Sequence, residues 1–576
     1  NQRLLTSLVN GDKEVRPPIS KKWLLKNTPE AHALPPEVPA PLVPVLLGRG
    51  LDTAEKLRLF LRPPHNLPYD PLRLDGMDLA VQRLYRAIER KETVGVFGDF
   101  DVDGVTGTAI MVEGLRAFGV PVLPYLPHRV DEGHGLSNAA VEQLSKHGVS
   151  LIVTVDCGVT SVDEVSWARH LGTEVIITDH HIPGPALPEA AAIIDPRIAG
   201  SKYPYLHLSG AGLAFKLIQG LCQFYGQPWS SSLLELAAMG TIADLVPLTD
   251  ENRYLVREGL TGLAETKRPG LLALYRNGRI EPKSINAETV GYQIAPRLNS
   301  AGRMGHAGDS LALLTTESDA EAEVLAAKLE SLNLERRALS DQSYQAAVEQ
   351  LSKIETLPAI LIVDHPCFTP GVAGLVAGRL LDTYNRPAIA LAAVEGDRLT
   401  ASARSVPEFN MVEALSKCAD LFERYGGHAQ AAGFTLRRHN VPPLVERMTA
   451  LAEEALGRED SEAVMPVDAE VQLPELNDAV LAWLTDLEPW GVGNPAPTFL
   501  SRGVHVMESR YMGNQGQHMR LQVRQGNSEW TALAFNLGEK WVQGTTLLDL
   551  VYTLSKDSWR GEERHVLQVA DLRASI

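Results

Sequence analysis

The sequence predicts an α/β protein made of a parallel-sheet domain, a long connecting helix, a second and smaller α/β domain, and a C-terminal β-barrel. Helix and strand patterns alternate from about residue 78 to 199, as in a mostly parallel sheet with helices on its faces. Residues 318–353 contain no Gly or Pro and are rich in good helix formers, which indicates one long helix. From about residue 494, short runs alternate apolar and polar residues, as in a small antiparallel barrel.

Length and composition limit the class of protein. A chain of 576 residues is too long for one hydrophobic core, so we expect about two to four domains. Apolar residues make up 44% and charged residues 22%, which is ordinary for a globular protein. No apolar run approaches the ~18 residues of a membrane span, and residues 1–10 show no signal-peptide pattern. We therefore expect a cytoplasmic protein that does not associate with a membrane.

The net charge and the cysteine spacing argue against a nonspecific nucleic-acid binder, a disulfide-stabilised protein and a zinc-cluster protein. The net charge of -17 argues against nonspecific adhesion to nucleic acid, although residues 501–576 carry nine basic and eight acidic residues and leave room for a local basic groove. The four cysteines lack C-x-x-C spacing, so neither a disulfide framework nor a zinc cluster is indicated.

The most informative stretch follows the apolar run at residues 93–97. It places Asp99, Asp101 and Asp103 at alternate positions and ends in Gly104. Three neighbouring carboxylates repel one another, and a bound divalent cation relieves that repulsion. An EF-hand loop begins in the same way, but it requires Glu where this chain has Ile110. We interpret the stretch as a strand end that feeds a metal site, with Gly104 turning the chain into a helix over 105–118.

Acidic residues also follow the other predicted strands, at 151–155, 175–178 and 192–194. Asp156, Asp179 and Asp195 come directly after these runs, and His180 and His181 follow Asp179. Parallel strands bring their carboxyl ends to one crevice, so we expect most of these groups to converge there. A helix cap is an equally good reading for Asp195.

The remaining candidates lie outside this sheet. Asp244 is one acid in an apolar helical run, which is costly unless the carboxylate is paired or binds metal. Residues 295–304 are interpreted as a small-residue loop whose Arg297 and Arg303 suit phosphate. The segments 402–405 and 426–429 combine hydroxyls with an Arg and glycines with a His, a composition typical of phosphate contacts. In the tail, Trp530, Trp541 and Trp559 alternate with arginines, which suits either base stacking or a barrel core.

Seven motifs in this order resemble the DHH phosphoesterases, and more narrowly their bacterial branch of single-stranded-DNA-specific 5′-to-3′ exonucleases. They are GDFDVDG at Gly98, VDCG at Val155, DHH at Asp179, IADLVPL at Ile242, PRLNSAGR at Pro296, SARS at Ser402 and GGHAQAAG at Gly426, followed by EPWGVGNPAPTF at Glu488. The chain departs from the usual pattern only at Glu488 and Cys157, neither of which is a candidate ligand.

The resemblance implies specific roles and boundaries. Metal ligands for two divalent cations, Mn²⁺ or Mg²⁺, would be Asp101, Asp103, Asp156, His180 and Asp244, with Asp99 close by and His181 near the scissile phosphate. Arg129, Ser402 and Arg404 would recognise a 5′-terminal phosphate, and Arg303 and His428 would contact substrate.

The domains would be an N-terminal lead-in wrapped on the surface over 1–75, a DHH catalytic domain over 76–317, a connector helix over 318–353, a DHH-associated substrate-binding domain over 354–460 and an OB-like nucleic-acid-binding domain over 461–576.

The implied activity is exonucleolytic release of 5′-mononucleotides from single-stranded DNA by two-metal hydrolysis, in DNA repair and recombination. A single-strand binding protein and a helicase are implied as partners, and we expect a monomer. Two alternatives stay open: a phosphatase or short-oligonucleotide hydrolase within the same superfamily, and an inactive scaffold of a replication complex. The scaffold would have lost metal ligands, which this chain keeps. The residues themselves do not distinguish DNA from RNA.

Overall fold

The computed structural model describes residues 21–27, 34–62, 68–129, 131–394, 396–457, 463–513, 516–541, 544–559 and 562–575. Side chains are described throughout these ranges except for residues 557–559, 562 and 563. Within the described part of the chain, no helix is both long and apolar enough to cross a membrane.

Between residues 38 and 57 the N-terminal segment contributes to the core of the C-terminal domain, so its prediction as a surface lead-in was wrong for that part. It contributes β1 (Lys21–Leu25), α1 (Val43–Gly48) and α2 (Ala54–Leu61). Leu42, Val45 and Leu46 are fully buried in the same cluster as Leu473 and Phe499 of the C-terminal domain. The prolines concealed this apolar face, because they interrupt the helical periodicity that would have revealed it.

The first α/β domain follows. Its elements are α3 (Met77–Glu89), β2 (Thr93–Gly98), α4 (Val102–Ala117), β3 (Val122–Tyr125), α5 (Asn138–Lys146), β4 (Val149–Val155), α6 (Val162–His170), β5 (Glu174–Thr178), β6 (Ala192–Ile194), α7 (Gly210–Tyr225), α8 (Leu233–Ala243), α9 (Asp250–Ala264), α10 (Pro269–Gly278), α11 (Ala287–Thr289), a π-helix over Val290–Ile294, α12 (Ala295–Met304) and α13 (Gly308–Thr315). The four predicted strands are confirmed. The fifth, β3, was missed because it is short and contains Pro124, which an edge strand tolerates.

The sheet is fully parallel in the order β3-β2-β4-β5-β6. Gly98 pairs with Val155, Val155 with Thr178, and Thr178 with Ile194. Each of these strands therefore ends at the same edge, and the next residue of each is an aspartate. The register thus delivers the acidic residues to one crevice, as the strand-end pattern predicts.

Two local predictions in this domain were wrong. α4 begins at Val102 rather than at residue 105, because Asp101 caps it with its side chain. Gly104 is consequently not the turn residue: it lies in the first helical turn, where a Cβ would come within 2.5 Å of the Asp99 carbonyl oxygen. Residues 295–304 form α12 rather than a loop, with Pro296 in its first turn.

The predicted connector is confirmed as α14 (Asp319–Ser352), a helix of 34 residues capped by Ser318. It leads to a second α/β domain whose elements are β7 (Leu361–Asp364), α15 (Pro370–Tyr384), β8 (Ala388–Ala393), β9 (Arg398–Arg404), α16 (Met411–Ser416), β10 (Phe422–Gly427), β11 (Ala431–Arg437) and α17 (Val441–Leu456). The sheet order is β10-β11-β9-β8-β7, with only the β7–β8 pair parallel. The boundaries placed at 75, 317, 353 and 460 stay predictions.

The C-terminal domain is a closed barrel. Its elements are β12 (Ala463–Val467), β13 (Ala469–Glu470), α18 (Asp478–Leu487), β14 (Phe499–Met512), β15 (His518–Gln525), β16 (Ser528–Ala534), β17 (Leu547–Trp559) and β18 (Glu562–Ala574). β17 pairs back to β14 and closes the barrel, while β1 pairs in parallel with β12. β18 was not predicted, because its first residues are charged and conceal the strand.

The barrel tryptophans fit the core interpretation better than base stacking. Trp541 is buried and Trp530 is partly buried against the same core, with its indole N–H donating to Ser528. The side chain of Trp559 lies outside the described residues. Tyr511 and Phe535, among the barrel aromatics whose side chains are described, are exposed to solvent.

Close helix packing makes a sharp stability prediction for one glycine pair. A Cβ on Gly259 of α9 would lie 2.3 Å from the Leu234 carbonyl oxygen of α8, whereas a Cβ on Gly378 of α15 would meet nothing within 4 Å. We expect Gly259→Ala to destabilise the protein by about 1–3 kcal/mol. The matched Gly378→Ala should stabilise it by about 0.5–1 kcal/mol, because Ala favours the helix. The urea-unfolding midpoint of each variant, compared with wild type, measures these changes in stability. Midpoints that move in the same direction in the two variants would contradict the packing argument.

Candidate active site

The turn after β4 presents Asp156 to the crevice. Asp156 adopts a left-handed backbone conformation, with φ at +63°, and its amide donates to the Thr178 carbonyl at 3.0 Å. A non-glycine residue in this region carries conformational strain, which tends to be kept where a side chain has to be aimed. The turn therefore directs the Asp156 carboxylate to the point where the neighbouring strands end.

The acidic stretch after β2 is divided between two helix N-termini. Asp101 accepts a hydrogen bond from the Gly104 amide at 3.1 Å and caps α4. Asp103 accepts from the Gly210 and Ala211 amides at 2.6 and 2.9 Å, at the start of α7. The N-terminal end of a helix favours negative charge, so α7 stabilises a carboxylate that is otherwise completely buried.

His180 lies at the centre of the cluster. Its Nε2 atom is 2.9 Å from an Asp156 oxygen, 3.6 Å from Asp244 and 3.9 Å from Asp103. Its buried Nδ1 atom makes no hydrogen bond with any residue that the structure describes. Asp244 reaches this point from the C-terminal end of α8, where it is the capping residue.

Burial makes this cluster unfavourable as a set of free carboxylates. It raises the pKa of Asp99 to about 6, of Asp103 to about 7 and of Asp244 to about 8, and neighbouring carboxylates add to the effect. The pKa of Asp156 is also raised well above its ordinary value, by burial and then by Asp103. Burial lowers the pKa of His180 to about 3, so its imidazole is neutral and has a lone pair to donate.

The residues fit a divalent cation. Three groups each place their ligand atoms within 4.8 Å of one another: Asp156 with His180 and His181, Asp103 with His180 and Asp244, and Asp99 with Asp101 and Asp156. One buried oxygen of Asp99 also lacks a hydrogen-bond partner among the described residues. Carboxylate oxygens with imidazole suit Mg²⁺ or Mn²⁺, and a positive ion would relieve the mutual repulsion.

His181 has a different environment from its neighbour. Asp179 accepts from its Nδ1 at 2.7 Å and from the His180 and His181 amides. Burial opposes protonation, but the bond to Asp179 and its charge raise the pKa of His181 to about 9. The imidazole is therefore protonated at neutral pH. It stacks on His428 of the second α/β domain, with ring centroids 6.5 Å apart, so the site lies between two domains.

Arginines from three parts of the chain gather on one side of this site. Arg303 of α12 is electrostatically coupled to Arg129, Arg336 and Arg404, and burial together with these like charges lowers its pKa to about 9. Arg129 lies over the Phe100 ring at 4.0 Å, and the Nε atom of its guanidinium is buried without a partner among the described residues. Concentrated positive charge of this kind favours a bound anion.

The structure places the other predicted site residues as follows. Ser402 and Arg404 lie on β9, where Arg404 donates to the Ala403 carbonyl and packs near Gly374 of α15. Arg297 forms an ion pair with Glu330 of α14, with 2.5 Å between its Nε and a carboxylate oxygen, so its guanidinium is already paired. Asp195 caps no helix; it accepts from the Arg197 amide at 2.7 Å in a turn, and its other oxygen is buried without a described partner.

Sequence reasoning missed three residues near the site. His134 lies 3.4 Å from Asp99 and edge-on to His181, Arg336 belongs to the arginine group, and the charge of Arg197 acts on Asp244 and His428. The histidine between Gly133 and Gly135 was a usable signal. The two arginines stand in a helix and a turn without distinctive neighbours, so only the fold reveals them.

Comparison with known proteins agrees with this geometry. Residues 93–241 match the model described as DHH family, N-terminal domain, residues 357–456 match the DHHA1 domain, and residues 467–571 match the RecJ OB domain. The chain is 38% identical over 539 residues to the single-stranded-DNA-specific exonuclease RecJ of Bacillus subtilis, covering 93% of this chain and 68% of that protein. It is 34% identical to RecJ of Salmonella typhimurium, covering 94% and 97% of the two chains.

Solved structures give the same result. The crystal structure of Thermus thermophilus RecJ in complex with Mn²⁺ matches with a TM-score of 0.81 and 32% identity, covering 96% of this chain and 80% of that one. The corresponding Mg²⁺ complex matches with a TM-score of 0.74 and 30% identity, covering 96% and 78%. Together with the acidic cluster, these similarities show that the chain belongs to the RecJ family of DHH proteins and is a metal-dependent nuclease.

Proposed function

We propose that this protein degrades single-stranded DNA from its 5′ end and releases 5′-mononucleotides. The observation that carries the proposal is the position of the arginine group, which adjoins a buried acid and histidine cluster with room for divalent cations. An anion site beside a hydrolytic centre suits a strand whose terminal phosphate is held while the next phosphodiester is cut. The relatives named as single-stranded-DNA-specific exonucleases support the substrate class.

We assign the cation ligands to the cluster as the family resemblance implies. They are Asp101, Asp103, Asp156, His180 and Asp244, for two divalent cations, with Asp99 close by. When bound, such cations supply Lewis acidity and an activated water for phosphodiester hydrolysis. Asp156 and His180 each belong to two of the three ligand groups, so each would contribute to more than one part of the cluster when cations are bound.

The protein's own residues supply the rest of the chemistry. His181, kept protonated by Asp179, would hold its proton toward a non-bridging oxygen of the scissile phosphate and stabilise the charge that develops there. The stacked His428 would contact the same nucleotide from the second domain.

The end of the strand would be held by the arginine side of the site. Arg129, Ser402 and Arg404 would bind the 5′-terminal phosphate, with Arg303 on the adjacent substrate. Guanidinium groups bind phosphate through paired N–H donors, which gives direction as well as affinity. Arg297 stays a weaker candidate for substrate binding, because Glu330 already occupies its guanidinium.

The wider roles follow from family membership and stay proposals. We infer that the enzyme works as a monomer in the cytoplasm, in DNA repair and recombination. A helicase would supply the single strand, and a single-strand binding protein would present it. The barrel domain would hold the incoming strand through the exposed Tyr511 and Phe535, since aromatic faces stack on bases without reading sequence.

End-labelled oligonucleotides test the proposed activity directly. A 5′-labelled single strand should release labelled mononucleotide from the first turnover with Mn²⁺ or Mg²⁺, whereas a 3′-labelled strand should shorten gradually. The blunt duplex and the EDTA-treated reaction should give no product. Asp156→Ala should lower activity at least ~1000-fold while keeping the circular dichroism spectrum, because it removes a ligand shared by two groups. Cleavage after full chelation, or wild-type turnover by this variant, would contradict the assignment.

Stability against pH tests the electrostatics of the metal-free cluster. The pKa of Asp244 is about 8 in the folded protein, against about 3.9 in an unfolded chain, so the folded state holds this proton more tightly. Its contribution to stability is therefore present at low pH and is lost as pH rises from about 4 to 8. In EDTA, Asp244→Asn should melt progressively higher than wild type over this range, by at least about 2 °C at pH 8.

Thermal melting at each pH measures this difference, with Asp382→Asn as the control for loss of an exposed charge. Saturating Mn²⁺ should reverse the order, because the cation stabilises the wild-type carboxylate and asparagine is a poorer ligand. A constant difference between wild type and Asp244→Asn across pH would overturn the argument.

The Asp179–His181 pair makes a separate prediction about the pH profile. Without the hydrogen bond and the charge of Asp179, burial lowers the pKa of His181 against only the weaker pull of Asp244 and Asp99, so the imidazole should lose its proton at lower pH. The alkaline fall of kcat/KM in Asp179→Asn should move at least about one pH unit toward acid. The rate of single-strand hydrolysis between pH 6 and 10 measures this shift.

A His181→Gln background is the control. There, Asp179→Asn should leave the pH profile of kcat/KM unchanged, and an equal shift would show that His181 is not its cause.

A further inference from the structure

A large cavity lies between the arginine group and the C-terminal domain. It has a volume of about 1080 Å³, which exceeds the ~300–1,000 Å³ usual for small-molecule pockets. Arg303 and Arg336 of the arginine group line it together with Leu375 of the second α/β domain, and Trp490 and Thr553 line it from the C-terminal domain. It therefore borders the arginine side of the site and extends from there to the C-terminal domain.

Leu245 is an unusual residue in the wall of this cavity. It directly follows Asp244, so its Cα lies ~3.8 Å from that of a candidate ligand. It adopts a left-handed conformation with φ at +59°, and its side chain leaves the residue 70% exposed. A bulky non-glycine residue is uncommon in the left-handed conformation. Because the Leu245 side chain is exposed, no packing contact offsets its backbone strain. The observation points to a ligand that covers Leu245.

Tyr292 lines the same cavity from another direction. It lies in the π-helix over Val290–Ile294, which packs on the end of α8 close to Ile242. The residue is 80% exposed, and its ring and hydroxyl make no ring contact or hydrogen bond with any described residue. π-Helical turns are rare and occur most often at functional sites. Leu245 and Tyr292 are thus two exposed apolar side chains in the wall of one cavity, and Leu245 directly follows the candidate ligand Asp244.

We propose that Leu245 and Tyr292 form a base-contacting step that receives unstacked bases of the strand next to the scissile phosphate. The inference rests on the proposed exonuclease function and adds a specificity device to it. The cavity lining contains Arg257 as well as Glu265, Glu288 and Glu488 besides its other two arginines, so net charge does not select the occupant. The exposed apolar side chains favour nucleic-acid bases as the occupant, because every base offers a flat face for stacking. A duplex keeps those faces stacked and paired, so it cannot use the step.

The substitutions that test the step preserve the fold. Leu245→Gly removes the side chain and relieves the backbone strain, since glycine adopts positive φ freely. Tyr292→Ala removes an exposed ring and Tyr292→Phe keeps it. Val324→Ala, on the connector helix, is the matched control because Val324 is also 70% exposed. We expect Leu245→Gly to melt at or above the wild-type temperature.

The readout is dependence on bases rather than activity alone. Kd is measured in EDTA by fluorescence anisotropy on a 5′-phosphorylated single strand and on the same strand with abasic residues at its first four positions. Leu245→Gly and Tyr292→Ala should each weaken binding of the normal strand about tenfold. Both should bind the abasic strand within twofold of wild type, while Tyr292→Phe and Val324→Ala should match wild type on both strands. Hydrolysis with Mn²⁺ should show the same pattern in KM, with kcat within twofold.

The outcomes separate this inference from the proposed function. Equal losses on normal and abasic strands, or no loss on either, would overturn the base-contacting step while wild-type hydrolysis still supported the exonuclease. Wild-type protein that cleaves neither strand would overturn the proposed function, and the base-dependent difference in Kd would still decide whether the step contacts bases.

Discussion

The active site depends on one unfavourable arrangement, the burial of several carboxylates around one imidazole. Asp103 and Asp156 are nearly inaccessible to solvent. Burial raises the pKa of Asp99 and of Asp244, and the charge of Asp101 raises both further. A protein maintains such a cluster only if its backbone holds each group in place and a counter-charge compensates for it. Divalent cations supply that charge, which explains why a metal-dependent chemistry and this fold occur together.

The backbone compensates in part before any cation binds. The start of α7 donates two amides to Asp103, and the turn amides after β5 donate to Asp179. The parallel register then places these groups at one edge without long loops. Two adjacent histidines acquire opposite properties from this frame, because burial keeps His180 neutral while Asp179 keeps His181 protonated. One can donate a lone pair and the other a proton.

The second domain completes the site rather than merely adjoining it. His428 stacks on His181, and Arg404 contributes to the same positive field as Arg129 and Arg303. Connector helix α14 both joins the domains and supplies Arg336 to this field. A substrate that needs both the acidic cluster and the arginines therefore has to lie between the domains. The cavity lined by Leu245 and Tyr292 extends from the arginine group to the C-terminal domain.

The sequence by itself determined the sheet and most of the candidate cluster. Apolar runs followed directly by Asp99, Asp156 and Asp179 are readable because strand ends in a parallel sheet share one edge, and the ordered motifs identify the family. It could not show that residues 295–304 are helical or that α4 begins at Val102, since small residues and caps are compatible with both helix and loop. Only the tertiary structure decided that Arg297 is paired with Glu330 while Arg336 lies near Arg303, that Trp541 is core, and that part of the N-terminal segment packs on the barrel. These outcomes depend on contacts between residues that are distant in the chain, and a local sequence pattern does not specify which distant residue a side chain will contact.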